Sequence, residues 1–196
     1  MSQAADQRSM GGRPRNNDLT DKVLVSAEQL FGVKGFSAVT MAEIAAAAGV
    51  GLDTIYRRWS SKQALLLEIV AGAVSTGVPI IDLGNVSDDL TEAVDGLIRF
   101  ATSPAGRVLA AAIGEAAHDT ALASQLAEAQ ARRRDLARTI VTRAVERHEV
   151  RPDTDPDLLL DLLSGIVWHR AFVSGHSFRK DDARSIVTAA LVGFRR

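Results

Sequence analysis

Cysteine is absent from this 196-residue chain, so neither a disulfide framework nor a thiolate metal site is open to it. That absence fits a reducing cytoplasm. The four histidines, His118, His148, His169 and His176, fall at no known metal-ligand spacing, so no metal or other cofactor is expected. The N-terminus carries no apolar stretch of signal-peptide length, and no run is long enough to span a bilayer, so the expected protein is cytoplasmic and not membrane-bound. Also missing are a G-x-S-x-G elbow, a phosphate-cradling glycine loop and a Ser/His/Asp constellation, which argues against an enzyme. Aromatic residues make up only 5% and the net charge is only −1. The molecule is therefore no polycation, and any binding to a polyanion must come from a local surface.

What the chain does contain is alanine, leucine and helical periodicity. Apolar residues reach 46%, a composition that suits an all-helical protein large enough to bury a real core. Charge is unevenly placed, with a balance of +2 over residues 1–62 and −3 over the remainder.

The organising stretch is Thr40 to Trp59, TMAEIAAAAGVGLDTIYRRW. Thr40 can cap a helix, and Glu43, three residues on, completes a capping box. Ile44, Ala45 and Ala48 form a narrow apolar face that lets a second helix approach. Gly49 supplies the turn, because glycine reaches left-handed backbone angles without steric cost. Val50 and Ile55 anchor the second helix, leaving Leu52, Asp53, Thr54, Arg57 and Arg58 facing outward. A helix pair with a glycine turn and an exposed polar second helix is a helix-turn-helix unit, whose second helix enters the DNA major groove. The competing reading is a plain helical hairpin inside a bundle.

The run AGVGLDTIYRRWSSKQAL decides between them. It resembles the tetracycline-repressor (TetR) family of bacterial transcription regulators through Thr40, Ala48-Gly49-Val50, Tyr56, Trp59 and Lys62, over about residues 18 to 70. The resemblance implies an all-α protein of about nine helices. A three-helix DNA-binding domain would be joined by a fourth helix to a C-terminal ligand-binding and dimerisation domain. The corresponding boundaries are a disordered arm at 1–16, the DNA-binding domain at 17–64 and the helical domain at 65–196.

Within that frame each candidate contact has a chemical reason. Gly51 sits at the N-cap where the family usually carries Ser or Thr, so a side-chain cap is lost, but its backbone amide can still meet a phosphate. Leu52, Asp53 and Thr54 should face base edges. Arg57 can be bidentate to guanine or bind a phosphate. Tyr56 resembles the family tyrosine whose hydroxyl contacts the DNA backbone, Lys62 is expected at the same backbone, and Thr40 is counted with them among the DNA-binding candidates. Asp53 either accepts from cytosine N4 or pairs with Arg57 four residues on. In the arm, Arg13 and Arg15 either enter the minor groove beside the recognition helix or belong to a solvated tail.

The rest of the chain reads as helices with chemical punctuation. A first helix over about Leu19–Lys34, capped by Asp18 or Thr20, buries Val23, Ala27, Leu30 and Phe31. Ser60 with Gln63 reads as a capping box for the fourth helix. Gly77–Asn85 breaks the pattern, Ser87 caps a helix to about Ala101, and Ser103-Pro104 starts another. A long helix over about Thr120–Arg147 carries Leu122, Leu126, Ala129, Leu136, Ile140 and Val145 as its stripe. Its Arg132-Arg133-Arg134 run reads as a solvated face near Glu128 and Asp135.

Asp155-Pro156 opens a helix apolar around most of its circumference, and the last helix runs over about 181–195. Helices greasy on all sides need cover on two sides. A second copy could supply it in a four-helix interface through Leu163, Val167, Ile186, Ala190, Leu191 and Phe194. The TetR resemblance also implies a small-molecule pocket, with Phe100, Ile113, His118, Trp168 and Phe172 as candidate linings for an apolar or aromatic effector. The expected function is a dimeric, sequence-specific DNA-binding regulator, most readily a repressor released from its operator by that effector. The alternative is a helical small-molecule carrier with a vestigial DNA-binding motif.

Overall fold

The computed structural model describes residues 16–195, with side chains from Asp18 onward. The arm, with Arg13 and Arg15, lies outside the described residues. Among those residues the chain is all-α, without strands. Four helices come first: α1 (Asn16–Lys34), α2 (Met41–Ala48), α3 (Leu52–Tyr56) and α4 (Lys62–Gly77). They are followed by α5 (Val86–Thr102), α6 (Pro104–Ala116), α7 (Thr120–Glu146), α8 (Pro156–His169) and α9 (Asp182–Leu191). A π-helical turn, Arg170–Ser174, extends α8 before Gly175 ends it at φ 65°.

Side-chain chemistry sets most of the boundaries. Ser103 accepts from the Gly106 amide with Pro104 at the first helical position, and Asp155 does the same for Asp157 and Leu158 ahead of α8. Three expected caps move by a residue or more. Asn85, not Ser87, caps α5 by accepting from the Asp88 amide. Ser61, not Ser60, caps α4 by accepting from the Ala64 amide, and Gln63 reaches away to Asp119 instead of closing a box. Helix α1 begins before both Asp18 and Thr20, so neither is its cap.

Two hydrophobic cores fill the molecule. The first joins Val23, Ala27 and Phe31 of α1 to Ile44, Ile55, Trp59, Leu65 and Leu66, and then takes in Val108 and Ala112 of α6 and Leu122 of α7. The second gathers Leu90 and Val94 of α5, Ile140 and Val141 of α7, Leu159 and Leu163 of α8, and Ile186, Val187 and Leu191 of α9. Leu97 and Trp168 pack against both. Helix α6 therefore shares its core with the first four helices, which ties the N-terminal unit to the rest of the chain. Gly96 lets α5 cross the exit of α4 closely: a Cβ there would lie 2.9 Å from both Pro79 Cδ and Val78 Cα, and nearer still to the Gly77 carbonyl.

Charged residues of α7 also brace the structure, which revises the solvated-face reading of its arginine run. Arg132 alone fits it, exposed and 3.9 Å from Glu128. Arg133 donates to the Val78 carbonyl, and Arg134 pairs with Asp157 and Asp161 of α8. Asp135 pairs with Arg138. Leu136, expected in the buried stripe, is 56% exposed. Arg147 meets the buried Asp89 at 3.0 Å, and Asp89 accepts from the Leu83 amide at 2.6 Å, pinning the 78–85 segment onto α7.

The expected dimer residues require a correction. Leu163, Val167, Ile186, Leu191 and Phe194 are buried in the protomer's own second core, and Ala190 is half-buried against it. Periodicity placed them on an apolar face, but that face is the one already covered. The apolar side chains that α8 and α9 leave open are others: Leu158, Leu162 and Val192, with Phe172 and Val173 on the π-helical turn.

Candidate nucleic-acid interface

Helix α3 has five residues, too few to persist alone in water. Its neighbours impose it. At the start of α2, Thr40 Oγ1 accepts from the Glu43 amide at 3.2 Å while Glu43 Oε2 accepts from the Thr40 amide at 2.9 Å, a complete capping box. Lys34 Nζ adds 2.7 Å to the same carboxylate. These contacts, Lys34 foremost, lower the Glu43 pKa to about 2. Gly49 then turns the chain at φ 66°, ψ 33°, and the Val50 amide returns to the Ala45 carbonyl at 3.0 Å. Gly51 is the α3 N-cap in extended conformation with no side-chain bond, so the first-turn amides of α3 have no side-chain cap.

The turn sets which face of α3 looks inward. Ile55 is fully buried and Trp59 nearly so, contributing about 1.5–3 kcal/mol for a side chain such as Ile55. Leu52 (37% exposed), Asp53, Tyr56 (49%), Arg57 and Arg58 face outward, with Thr54 half-buried at their edge. An open cleft lined by Leu19, Val23, Thr54 and Arg57 runs between this face and α1. Asp53 and Arg57 do not pair: only the Asp53 carbonyl is engaged, by the Arg57 amide at 3.1 Å. Among the described residues the Asp53 carboxylate and the Arg57 guanidinium make no hydrogen bond or ion pair, which leaves both free to meet a ligand.

Two expected DNA contacts are engaged elsewhere. Lys62 Nζ donates to the carbonyls of Phe36 (2.7 Å), Val39 (2.8 Å) and Ser37 (3.2 Å) and lies 4.5 Å from the centre of the Phe36 ring. All three of its protons are used inside the protein, and burial pushes its pKa below the usual lysine value. It clamps the α1–α2 connection to α4 and has no donor left for a phosphate. The Thr40 hydroxyl gives its proton to Glu43 Oε2 at 3.0 Å and likewise has none to offer. The residues brought together on one open face are Gly51, Leu52, Asp53, Thr54, Tyr56 and Arg57.

Sequence reasoning passed over Glu68. Its Oε2 accepts from Trp59 Nε1 at 2.6 Å and its Oε1 lies 3.5 Å from Arg58 Nη2, with the Arg58 guanidinium 5.3 Å from the Trp59 ring centre. The available signal was a lone acid inside the LLLEIV run of α4.

The five candidate pocket residues differ in depth. Phe100 is buried in the first core, Trp168 meets it edge-on at 6.2 Å and 84°, and Phe172 stacks on Trp168 at 5.3 Å and 23°. These three make a row from interior to surface. Ile113 and His118 lie on the outside.

Comparison with known proteins agrees with this geometry. Residues 23–69 match the model for bacterial regulatory proteins of the tetR family, and residues 80–190 match the tetracyclin repressor-like C-terminal domain. The HTH-type transcriptional regulator YdeS of Bacillus subtilis strain 168 is 30% identical over 187 residues, covering 95% of this chain and 94% of its own. The HTH-type transcriptional regulator AqdR of Rhodococcus erythropolis is 30% identical over 147 residues, 75% of this chain and 71% of its own. Among solved structures, the TetR family transcription regulator SCO0332 superposes with a TM-score of 0.72 at 31% identity, covering 90% of this chain and 98% of that one. These relatives are transcriptional regulators and not enzymes. On the two family models and on these relatives, the chain belongs to the TetR family of helix-turn-helix transcriptional regulators.

Proposed function

We propose that this regulator is a cytoplasmic repressor that binds a two-fold operator as a homodimer and leaves it when a small apolar or aromatic effector binds. The observation that carries the reading is the split face of α3: Ile55 and Trp59 fasten it from behind while Leu52, Asp53, Tyr56 and Arg57 stand open. Arg57, whose guanidinium is unpaired among the described residues, suits a bidentate contact to guanine, and Asp53 suits cytosine N4. The uncapped amides after Gly51 suit a phosphate, as does the Tyr56 hydroxyl.

One such unit reads only a few base pairs, so a second is needed for specificity. Leu158 and Leu162 on α8 and Val192 just past the end of α9 are exposed apolar side chains for a twin protomer to cover. The effector seat best supported is beside Phe172. A flat apolar molecule stacking there would press on Trp168, which packs against both cores, and so would be felt by the helices that carry α3. The carrier alternative has less support, because it leaves the open polar face of α3 without a role.

A gel-shift titration with the DNA upstream of the protein's own gene tests the proposal. Wild type should shift it, and Arg57→Ala should weaken binding by about 1–3 kcal/mol, the value of one bidentate base contact. A folded protein that fails to shift this DNA at low salt would overturn the operator reading.

A further inference from the structure

We propose that Glu68 is a positioning residue that withholds Arg58 from DNA, so that of the two adjacent arginines only Arg57 neutralises a phosphate or reads a base. The inference rests on the DNA-binding reading above and adds a division of labour within it. Both arginines are exposed and sit one residue apart at the end of α3. From sequence they are equivalent cations. In the structure they are not: Arg57 makes no ion pair among the described residues, whereas Arg58 faces the Glu68 carboxylate at 3.5 Å and lies over the Trp59 ring.

Glu68 cannot swing away freely. Its other oxygen accepts the Trp59 indole proton at 2.6 Å, and Trp59 is 4% exposed and seated in the first core. The acid is thus anchored from below by a buried donor and presents its remaining oxygen to Arg58. A phosphate that sought Arg58 would meet a guanidinium whose charge is already offset by a carboxylate at 3.5 Å, an ion-pair rather than a hydrogen-bond distance. Because Glu68 belongs to α4, the same carboxylate also joins α4 to the last residue of the recognition unit.

The salt dependence of DNA binding reads this directly, since each neutralised phosphate contributes a slope of about 0.9 in log K against log salt. Arg58→Ala should leave both affinity and slope unchanged, whereas Arg57→Ala should weaken binding, through a lost base contact or a slope loss of about 0.9 per protomer. Glu68→Gln keeps an acceptor for Trp59 Nε1 while removing the charge that holds Arg58. It should steepen the slope by about 0.9 per protomer and tighten binding to random-sequence DNA at low salt. In an Arg58→Ala background the Glu68→Gln change should have no effect on the slope, a result that a merely structural role for Glu68 would not produce. A slope loss of about 0.9 per protomer for Arg58→Ala, or an unchanged slope for Glu68→Gln, would overturn the inference while leaving the DNA-binding reading intact. Absence of any DNA binding by folded wild type would overturn both.

Discussion

Lys62→Met separates two roles that the sequence does not distinguish. Methionine keeps the apolar stem on Phe36 but removes the ammonium and its three hydrogen bonds to the Phe36, Ser37 and Val39 carbonyls. Hydrogen bonds to a charged group contribute roughly 1.5–3 kcal/mol each, yet the gross sum overstates the loss because the buried ammonium was itself desolvated. Ser37 is exposed and its carbonyl regains water, while Phe36 and Val39 are buried and their carbonyls lose a partner, at about 1–3 kcal/mol each. A net destabilisation of about 2–4 kcal/mol follows, a fall in Tm of roughly 4–16 °C for a chain of this size. Urea denaturation measures the first figure and a thermal melt the second, and gel shifts at graded salt on the surviving folded protein measure the DNA slope. The clamp role predicts lost stability with an unchanged slope. A stability change under about 0.5 kcal/mol together with a slope loss of about 0.9 would refute it and restore the phosphate contact.

Three further perturbations probe other parts of the account. Gly96→Ala should destabilise by about 1–3 kcal/mol in urea, because its Cβ would press on the backbone of Gly77 and Val78; a neutral or stabilising result would mean that α5 does not cross the α4 exit so closely. Glu43 has a folded pKa below its unfolded value, so its contribution is complete above about pH 4.5 and is lost as pH falls toward about 2. The stability gap between wild type and Glu43→Gln should therefore close over that window and stay constant above it. Leu162→Glu should give a folded monomer in analytical ultracentrifugation, whereas Leu163→Ala should cost about 2–5 kcal/mol of protomer stability, since the first side chain is open and the second lies in the core.

The DNA-facing unit was legible because its signals are local. A capping box three residues apart, a left-handed glycine and a buried Ile55 act over one or two turns, and the structure has each where the spacing put it. Legibility failed where a partner is distant in sequence. Lys62 finds its carbonyls 23 to 26 residues upstream, and Gln63 finds Asp119 56 residues downstream, so neither role could be read from neighbours. The dimer face failed for another reason. Helix α8 is apolar on two sides, and periodicity cannot say which side the protomer covers; contact with α9 and α5 took Leu163 and Val167 and left Leu158 and Leu162. Leu136 shows the same limit on α7. The candidate pocket mixed two kinds of residue, because an aromatic side chain inside a helix gives no sign of whether it lies in the core, as Phe100 does, or emerges, as Phe172 does.

The central claim is that the open face of α3 lies in a groove of duplex DNA, matched by the same face of a twin protomer. Hydroxyl-radical footprinting of the upstream DNA tests it most directly. Two protected segments related by a two-fold axis are expected, with centres about one helical turn apart (roughly 34–36 Å) or a multiple of it, both requiring a higher protein concentration in Arg57→Ala. A single protected segment, or protection that persists unchanged in Arg57→Ala, would contradict it.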